Sequence, residues 1–373
     1  MNFKINRDLL LSNLYDVSKA LSNKPQQPIS SGIKLEVSKE KIVLTASNAE
    51  IAIQTSIDAQ NQVEVLEEGV AVLPGKYLLE IVKKTDDRVL TFSSFDGNVV
   101  KITTSRSEFT MNSMDADAFP IISFDCTGKD YLTSALTIKD LIRKTVFAAG
   151  INDEQIVLTG VNFQIKGNIA EAVATDRYRL AKKFIESNRN LEECNAIFPA
   201  LRLNDLAKIL DDADEIVEVN ISQTKAIFKY RNILFRTRLI KGNYPNTSPL
   251  IPREFLTQVT FDKALLINTI ERVSLFLTQI DDSIIKLSLN SDGEVLIDSI
   301  NNEIGAASET ITPINVTNIV PFQTAFSYIQ LLDAIKTFDS SEVVISFTGE
   351  IKPFVITGEY DTNCIQLIVP VRI

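Results

Sequence analysis

Apolar residues recur at intervals of three and four in six stretches of the chain, and the stretches fall into three pairs. The first member of each pair follows a short alternating segment. Phe3-Lys4-Ile5 precedes Leu9 to Val17, Leu136-Thr137-Ile138 precedes Leu141 to Ala149, and Val259-Thr260-Phe261 precedes Leu265 to Val273. The first spacing lines one face of a helix, and the alternation lines one face of a strand. The second member runs from Tyr77 to Val82, Leu203 to Leu210 and Tyr328 to Ile335. Its matching leucines, Leu78, Leu203 and Leu331, lie 125 and 128 residues apart. An acidic turn and an alternating strand follow each time, at Arg88 to Phe92, Glu215 to Val219 and Glu342 to Phe347. Hairpins close each copy, with Asp96-Gly97-Asn98 the plainest turn. One order of elements thus occurs three times. The chain reads as three α+β domains, each with two helices on one side of antiparallel sheet. Borders near Thr127-Gly128-Lys129 and within Pro249 to Pro252 give domains 1–127, 128–250 and 251–373.

Three stacked domains can make a rod, a scaffold or a ring. Pairing strands across domain borders joins the sheets and hides their edges, which otherwise recruit other chains. If the same pairing runs head to tail between chains and its rotation closes, the product is a ring, with sheets outside and helices lining the hole. Charge bears on that choice. The net charge of −10 argues against a wholly basic nucleic-acid surface. The six helical stretches nevertheless hold more basic than acidic residues. Lys76, Lys83, Lys139, Arg143 and Lys144 lie in the first three; Arg202, Lys208, Lys263, Arg272 and Lys336 lie in the others. Such a lining suits sequence-independent, salt-sensitive contact with phosphates, while an acidic exterior repels nucleic acid. The alternative is an ordinary solvated helix face.

The chain contains no histidine, which excludes Ser-His-Asp triads, Cys-His pairs and histidine-containing zinc sites. Cys126, Cys194 and Cys364 are odd in number and far apart, as expected of a reduced cytoplasmic protein. The first residues lack the apolar core of a signal peptide, and no apolar run approaches the roughly 18 residues of a membrane span. Ser38-Lys39-Glu40-Lys41 matches S-x-x-K without its companion motifs. Asp176 lies beside Arg177 and Arg179 with no nucleophile near it in sequence, and Asp211-Asp212-Ala213-Asp214 reads as an acidic turn rather than a metal site. We therefore expect no catalysis, no cofactor and no metal.

Val173-Ala174-Thr175-Asp176-Arg177-Tyr178-Arg179-Leu180-Ala181 resembles the A-T-D-x-x-R-L-A segment of the bacterial DNA polymerase III beta subunit, the sliding-clamp family. Ala118-Phe119-Pro120, Leu158-Thr159-Gly160, Gly242-Asn243-Tyr244-Pro245 and Val369-Pro370-Val371-Arg372-Ile373 resemble further family segments, in the same order over the full length. The resemblance implies a head-to-tail homodimer whose helices surround double-stranded DNA, bound without sequence preference. It implies a non-catalytic processivity factor in the cytoplasm, at the nucleoid, that tethers the DNA polymerase III catalytic subunit. A clamp loader would open it, and other polymerases and repair proteins would dock through short peptides. The implied hydrophobic peptide pocket comprises Leu158, Thr175, Arg177, Tyr178, Arg179 and Leu180, with Pro245 and Leu250. Leu367, Val369, Pro370, Val371 and Arg372 complete it. An exposed apolar groove with a few polar anchors is how such peptides are captured.

The family also implies DNA contacts at Lys24 and at Asn152. In the second of these loops Gln155 replaces a usual arginine, and Ile156 and Val157 stand where some relatives carry tyrosines, which counts against contact there. At the subunit border the resemblance sets Phe109 and Met111 of one chain against Leu275 and Phe276 of the other, with Arg106 toward Glu303 or Glu309; Glu108 stands where some relatives carry arginine. The rival readings are a peptide-binding scaffold that never encloses DNA and, far behind, a metal-dependent nuclease.

Overall fold

The computed structural model describes the chain except residues 23–26, 61, 96–97, 126, 278–282, 302 and 373. Lys24, Cys126 and Ile373 therefore lie outside the described residues. The first repeat contains β1 (Asn2–Asn6), α1 (Arg7–Ser18), β2 (Gly32–Val37), β3 (Lys41–Ser47), β4 (Ile51–Asp58), β5 (Val63–Glu67), β6 (Gly69–Pro74), α2 (Gly75–Lys84), β7 (Val89–Phe95), β8 (Val99–Thr103) and β9 (Glu108–Asn112). The second contains β10 (Lys129–Ser134), α3 (Ala135–Arg143), β11 (Gly160–Lys166), β12 (Ile169–Thr175), β13 (Arg179–Glu186), β14 (Cys194–Pro199), α4 (Ala200–Ala207), β15 (Ile216–Ile221), β16 (Lys225–Tyr230) and β17 (Ile233–Arg238). The third contains β18 (Thr257–Asp262), α5 (Lys263–Val273), β19 (Ile284–Leu289), β20 (Val295–Asn301), β21 (Gly305–Ile311), β22 (Asn315–Thr317), β23 (Phe322–Ser327), α6 (Tyr328–Ile335), β24 (Glu342–Phe347), β25 (Phe354–Gly358) and β26 (Cys364–Ile368).

Capping sets where the first helix of each repeat begins. Asn6 accepts from the N–H groups of Asp8 and Leu9, and Asp262 from that of Leu265, which satisfies donors that the helix leaves open. Ser134 accepts from Thr137 N–H at 3.3 Å. The second repeat therefore departs from the pattern-based expectation. Leu136-Thr137-Ile138 form the first turns of α3, not a strand, and the strand lies earlier, at β10. α3 also stops at Arg143; Thr145, at φ −132°, interrupts it before a 3₁₀ turn at Val146–Ala148.

Residues 1–138 and 204–239 form one compact unit, and residues 139–203 and 240–373 form another. The first unit holds a five-stranded sheet, β5-β1-β7-β8-β9, and an eight-stranded sheet, β10-β15-β16-β17-β4-β3-β2-β6. The second holds a nine-stranded sheet, β14-β11-β12-β13-β26-β25-β24-β18-β22, and a four-stranded sheet, β21-β20-β19-β23. Both large sheets cross repeat borders. β4 of the first repeat pairs with β17 of the second (Ala52 opposite Arg236), and β13 of the second pairs with β26 of the third (Leu180 opposite Leu367). In each large sheet one repeat thus covers another's edge.

The apolar faces predicted from spacing are buried. α1 buries Leu10, Leu14 and Val17, and Phe3 stacks on Phe92 with ring centres 4.8 Å apart. In the third repeat Leu266, Ile270, Leu331 and Ile335 share one core with Phe326 and Phe354. Among the described residues no helix is long and apolar enough to cross a membrane.

Gly160 opens β11 where a Cβ would lie 2.6 Å from Ile197 Cγ2 and 2.8 Å from the Phe198 carbonyl oxygen. Gly160→Val should therefore cost about 1–3 kcal/mol by overpacking. Urea unfolding should show a lowered midpoint at unchanged slope, and a wild-type midpoint would mean the strands can part at no cost.

Candidate functional site

The hairpin turn between β12 and β13 carries most of the residues singled out from sequence. Thr175 Oγ1 donates to the Arg179 carbonyl at 2.6 Å and accepts from Arg177 N–H at 3.1 Å. Asp176 Oδ1 accepts from the N–H groups of Tyr178 (3.0 Å) and Arg179 (2.9 Å), and Oδ2 from Arg179 Nε (2.9 Å). The carboxylate is thus spent on capping the turn, which is the ordinary structural use of aspartate there. Arg177 adopts φ +78°, and the turn sets Tyr178 outward with 66% of its surface exposed. Arg179 is a brace. It reaches Asp333 of α6 at 2.7 Å and lies over the Phe147 ring, 5.3 Å from its centre.

The C-terminal segment runs past this turn. Val369 N–H donates to the Tyr178 carbonyl at 2.9 Å, and Val371 N–H to Ala325 at 2.8 Å. Beneath them Leu180 and Leu367 pack with Val173 and Val355, and Tyr244, Ile251 and Val369 close over this small core. Leu158 is buried in a 3₁₀ turn at Ile156–Thr159. The surface is apolar. Tyr178, Leu250 and Val371 are exposed, Pro245 is exposed beside Tyr244, and Val369 and Pro370 are half-buried. Arg372 is exposed, and Arg177 pairs with Asp153 at 2.6 Å. Contacts thus unite Thr175, Arg177, Tyr178, Arg179, Leu180, Leu367 and Val369, while Val371 bonds Ala325 and Pro245 and Leu250 lie on the segment that Tyr244 anchors.

Two residues at this site were missed from sequence. Tyr244 hydroxyl accepts from Thr175 N–H at 3.0 Å, and its burial raises the phenol above the ordinary range, so it is a neutral acceptor. Asp153 restrains Arg177. Tyr244 had a signal, since it stands within the quoted Gly-Asn-Tyr-Pro segment. Asp153 had none.

The helix cations differ in exposure. Lys76 and Lys83 on α2 and Lys208 after α4 are exposed, and Lys139 and Arg202 are half-buried. Asn152 is exposed at φ +55°. Lys208 lies 3.9 Å from Asp205, Arg143 pairs with Asp140 and Asp339, Lys263 donates to the Phe338 carbonyl, and Arg272 and Lys336 pair with Glu309 at 2.5 Å and Glu271 at 2.9 Å. Lys144 corrects the expectation outright. Its side chain is 2% exposed and its Nζ lies 2.7 Å from Asp361, 2.9 Å from Asp339 and 3.3 Å from Asp140. An ammonium enclosed by three carboxylates cannot reach a phosphate. It had looked like its neighbours because helical spacing does not show what packs over the helix end.

At the expected subunit border Arg106 and Glu303 are exposed, Phe109 and Phe276 are half-buried, Leu275 is exposed, and Met111 is buried. Glu309 accepts from Arg272 and Thr269 of its own chain. The other motifs have structural occupations. Ser38 Oγ bonds both the N–H and the carbonyl of Lys41 across a hairpin turn, and Arg231 joins Asp211 to Glu215. Burial pushes the Cys364 thiol up to about 11, which leaves it protonated and unreactive.

Three copies of one α+β domain, fused through continuous sheets that cross their borders, are the architecture of a DNA clamp. Profiles of the N-terminal, central and C-terminal domains of the DNA polymerase III beta subunit match residues 1–123, 133–246 and 248–372, and the chain belongs to that family. It is 34% identical over 380 residues to the beta sliding clamp of Halalkalibacterium halodurans, covering 100% of both chains. It is 32% identical to that of Staphylococcus epidermidis, covering 100% of this chain and 99% of the relative. The crystal structure of the DNA polymerase sliding clamp from Bacillus subtilis matches with a TM-score of 0.95 at 32% identity, covering 100% of this chain and 99% of that one.

Burial alone would raise the Asp361 carboxyl, but the Lys144 ammonium and the N–H groups of Asp339 and Ser340 hold it down at about 2. A free aspartate titrates near ~3.9. The lowered value contributes stability that is complete above that range and lost as pH falls toward 2. Asp361→Asn should therefore cost stability at pH 6, with the deficit shrinking by on the order of 2 kcal/mol by pH 2.5. Urea unfolding across that range reads it, and a pH-independent deficit counts against the assignment.

Proposed function

We propose that two copies of this chain close head to tail around duplex DNA. The ring holds the DNA polymerase III catalytic subunit on its template through the groove at Tyr178, Leu180, Leu367 and Val369. A clamp loader would open it, and other polymerases and repair proteins would share the groove. It catalyses nothing itself, and its track places it at the nucleoid. The observation that carries this reading is a pair of strands. β4, β13 and β21 occupy the same place in successive repeats, as do β17, β26 and β9. β4–β17 and β13–β26 are formed within the chain, whereas β21 and β9 end their sheets, with no further strand beside them among the described residues. A second copy supplies the missing pairing for both.

Transposing the two formed pairings gives the third its register. Ala52 opposite Arg236 and Leu180 opposite Leu367 become Ala306 opposite Thr110 of the second copy. Phe109 then faces Ala307, beside Leu275 and Phe276, which gives the border a desolvated aromatic centre. Asn363, which accepts from Lys183 at 2.6 Å, corresponds to Arg106, and Lys183 corresponds to Glu309. Arg106 therefore meets Glu309 rather than Glu303. Lys76, Lys83, Lys139, Arg143, Arg202, Lys208, Lys263, Arg272 and Lys336, together with Asn152 and with Lys24 outside the described residues, are the residues proposed to face DNA. Their contacts are weak and salt-sensitive, so residence on DNA comes from closure.

Three outcomes follow. With cysteines at Thr110 and Ala306, oxidation should give a covalent dimer, whereas Thr110 with Ser308 should not; equal yields would reject the register. Protein loaded on circular duplex should resist moderate salt yet leave when the circle is cut, and retention on the linear product would reject enclosure. Removing residues 369–373 should abolish polymerase stimulation and leave the dimer; a monomeric product would mean that the tail belongs to the subunit border.

A further inference from the structure

The β13–β26 pairing carries the groove at one end and a buried charge cluster at the other. Besides Lys144 and its three carboxylates, buried Lys183 on β13 donates to Asn363 at 2.6 Å and lies 3.3 Å from Asp140. Gln366 on β26 donates to the Lys144 carbonyl at 3.0 Å and to Thr337 Oγ1 at 3.2 Å. Asp361, just before β26, also accepts from Asp339 N–H at 2.8 Å. The β4–β17 pairing has the same backbone frame but carries Asp16, Thr55, Tyr230 and Phe235 in place of Lys144, Lys183, Asp361 and Gln366. The cluster therefore belongs to the one pairing that bears the groove.

A buried ion pair adds little net stability, because desolvation offsets the attraction; its best-attested use is to select one register. The apolar part of this pairing does not do so. A slip by two residues keeps every side chain on its face and sets Leu180 opposite Ile365 or Val369, both apolar. The same slip takes Lys183 away from Asn363 and Gln366 away from the Lys144 carbonyl. It also carries Val369 away from the Tyr178 carbonyl, which breaks the groove.

We infer that Lys144, Lys183, Asp361 and Gln366 are positioning residues for the peptide groove. They fix β26 against β13 and thereby hold Val369 on the Tyr178 carbonyl and Val371 on that of Ala325. This rests on the groove being the docking site for the polymerase.

The test uses the full-length dimer carrying Lys144→Met with Asp361→Leu, which leaves neither partner of that pair as a lone buried charge, and separately Lys183→Met. Dimer mass and cooperative urea unfolding should persist. Affinity for the purified DNA polymerase III catalytic subunit should fall about tenfold, and amide exchange at Val369 and Val371 should quicken. A folded dimer with wild-type affinity and wild-type exchange at those amides overturns the inference. If the double variant does not fold, Lys183→Met decides by the same two readings. Wild-type protein that fails to bind the catalytic subunit counts against the groove's function instead, and the exchange measurement still tests the positioning.

Discussion

Every antiparallel sheet ends in strands whose N–H and carbonyl groups point outward, and a soluble chain must either cover those edges or use them. This protein does both with one device. The strand after the first hairpin of a repeat pairs with the last strand of the next repeat, so β4 takes β17 and β13 takes β26. Three repeats have three such strands of each kind and can satisfy only two pairings internally. The remainder, β21 and β9, defines head-to-tail assembly before any interface side chain is considered. In the proposed border Phe109, Leu275 and Phe276 would decide how firmly it holds rather than where it lies.

The same device explains why the groove sits where it does. A pairing across repeats brings a hairpin turn of one repeat beside the outgoing segment of the next. At β13–β26 that turn presents Tyr178, and the outgoing segment presents Val369 and Val371. At β4–β17 the bond is repeated, Arg238 N–H to the Glu50 carbonyl at 2.9 Å, but Glu50 stands for Tyr178, Arg238 for Val369 and Arg236 for Leu367, with only Ile240 matching Val371 as apolar. One backbone frame thus carries exposed apolar residues at one border and mostly charged ones at the other. The difference lies in side chains alone.

Much of this was legible in the sequence because the informative signals are periodic or positional. The helix and strand faces follow from spacing, and the repeat multiplies each weak signal by three. The Thr175 to Leu180 turn was legible because its residue types are fixed by hydrogen bonding: a threonine and an aspartate to cap, then a residue in the left-handed region. What failed had two causes. Ser134 as a helix cap outweighed the strand-like Leu136-Thr137-Ile138, because one side-chain oxygen satisfies an open donor that local propensity cannot. Lys144 failed for a different reason. Its carboxylate partners Asp339 and Asp361 lie roughly 200 residues away in sequence, and no local pattern announces them.

The ion pairs on the helices also bear on how a clamp moves. Arg272, Lys336 and Arg143 are each held by a carboxylate of the same chain. If these cations face DNA as proposed, a phosphate must compete with their partners, and each contact it makes is shallow and readily exchanged for the next. Strong unpaired cations would tighten binding, but they would also pin the protein to one stretch of backbone. A ring that holds by enclosure has no need of such strength. Its net charge of −10 opposes non-specific adhesion elsewhere on its surface. Weak attraction inside a closed path is thus compatible with long residence, provided the subunit borders and not the DNA contacts bear the load.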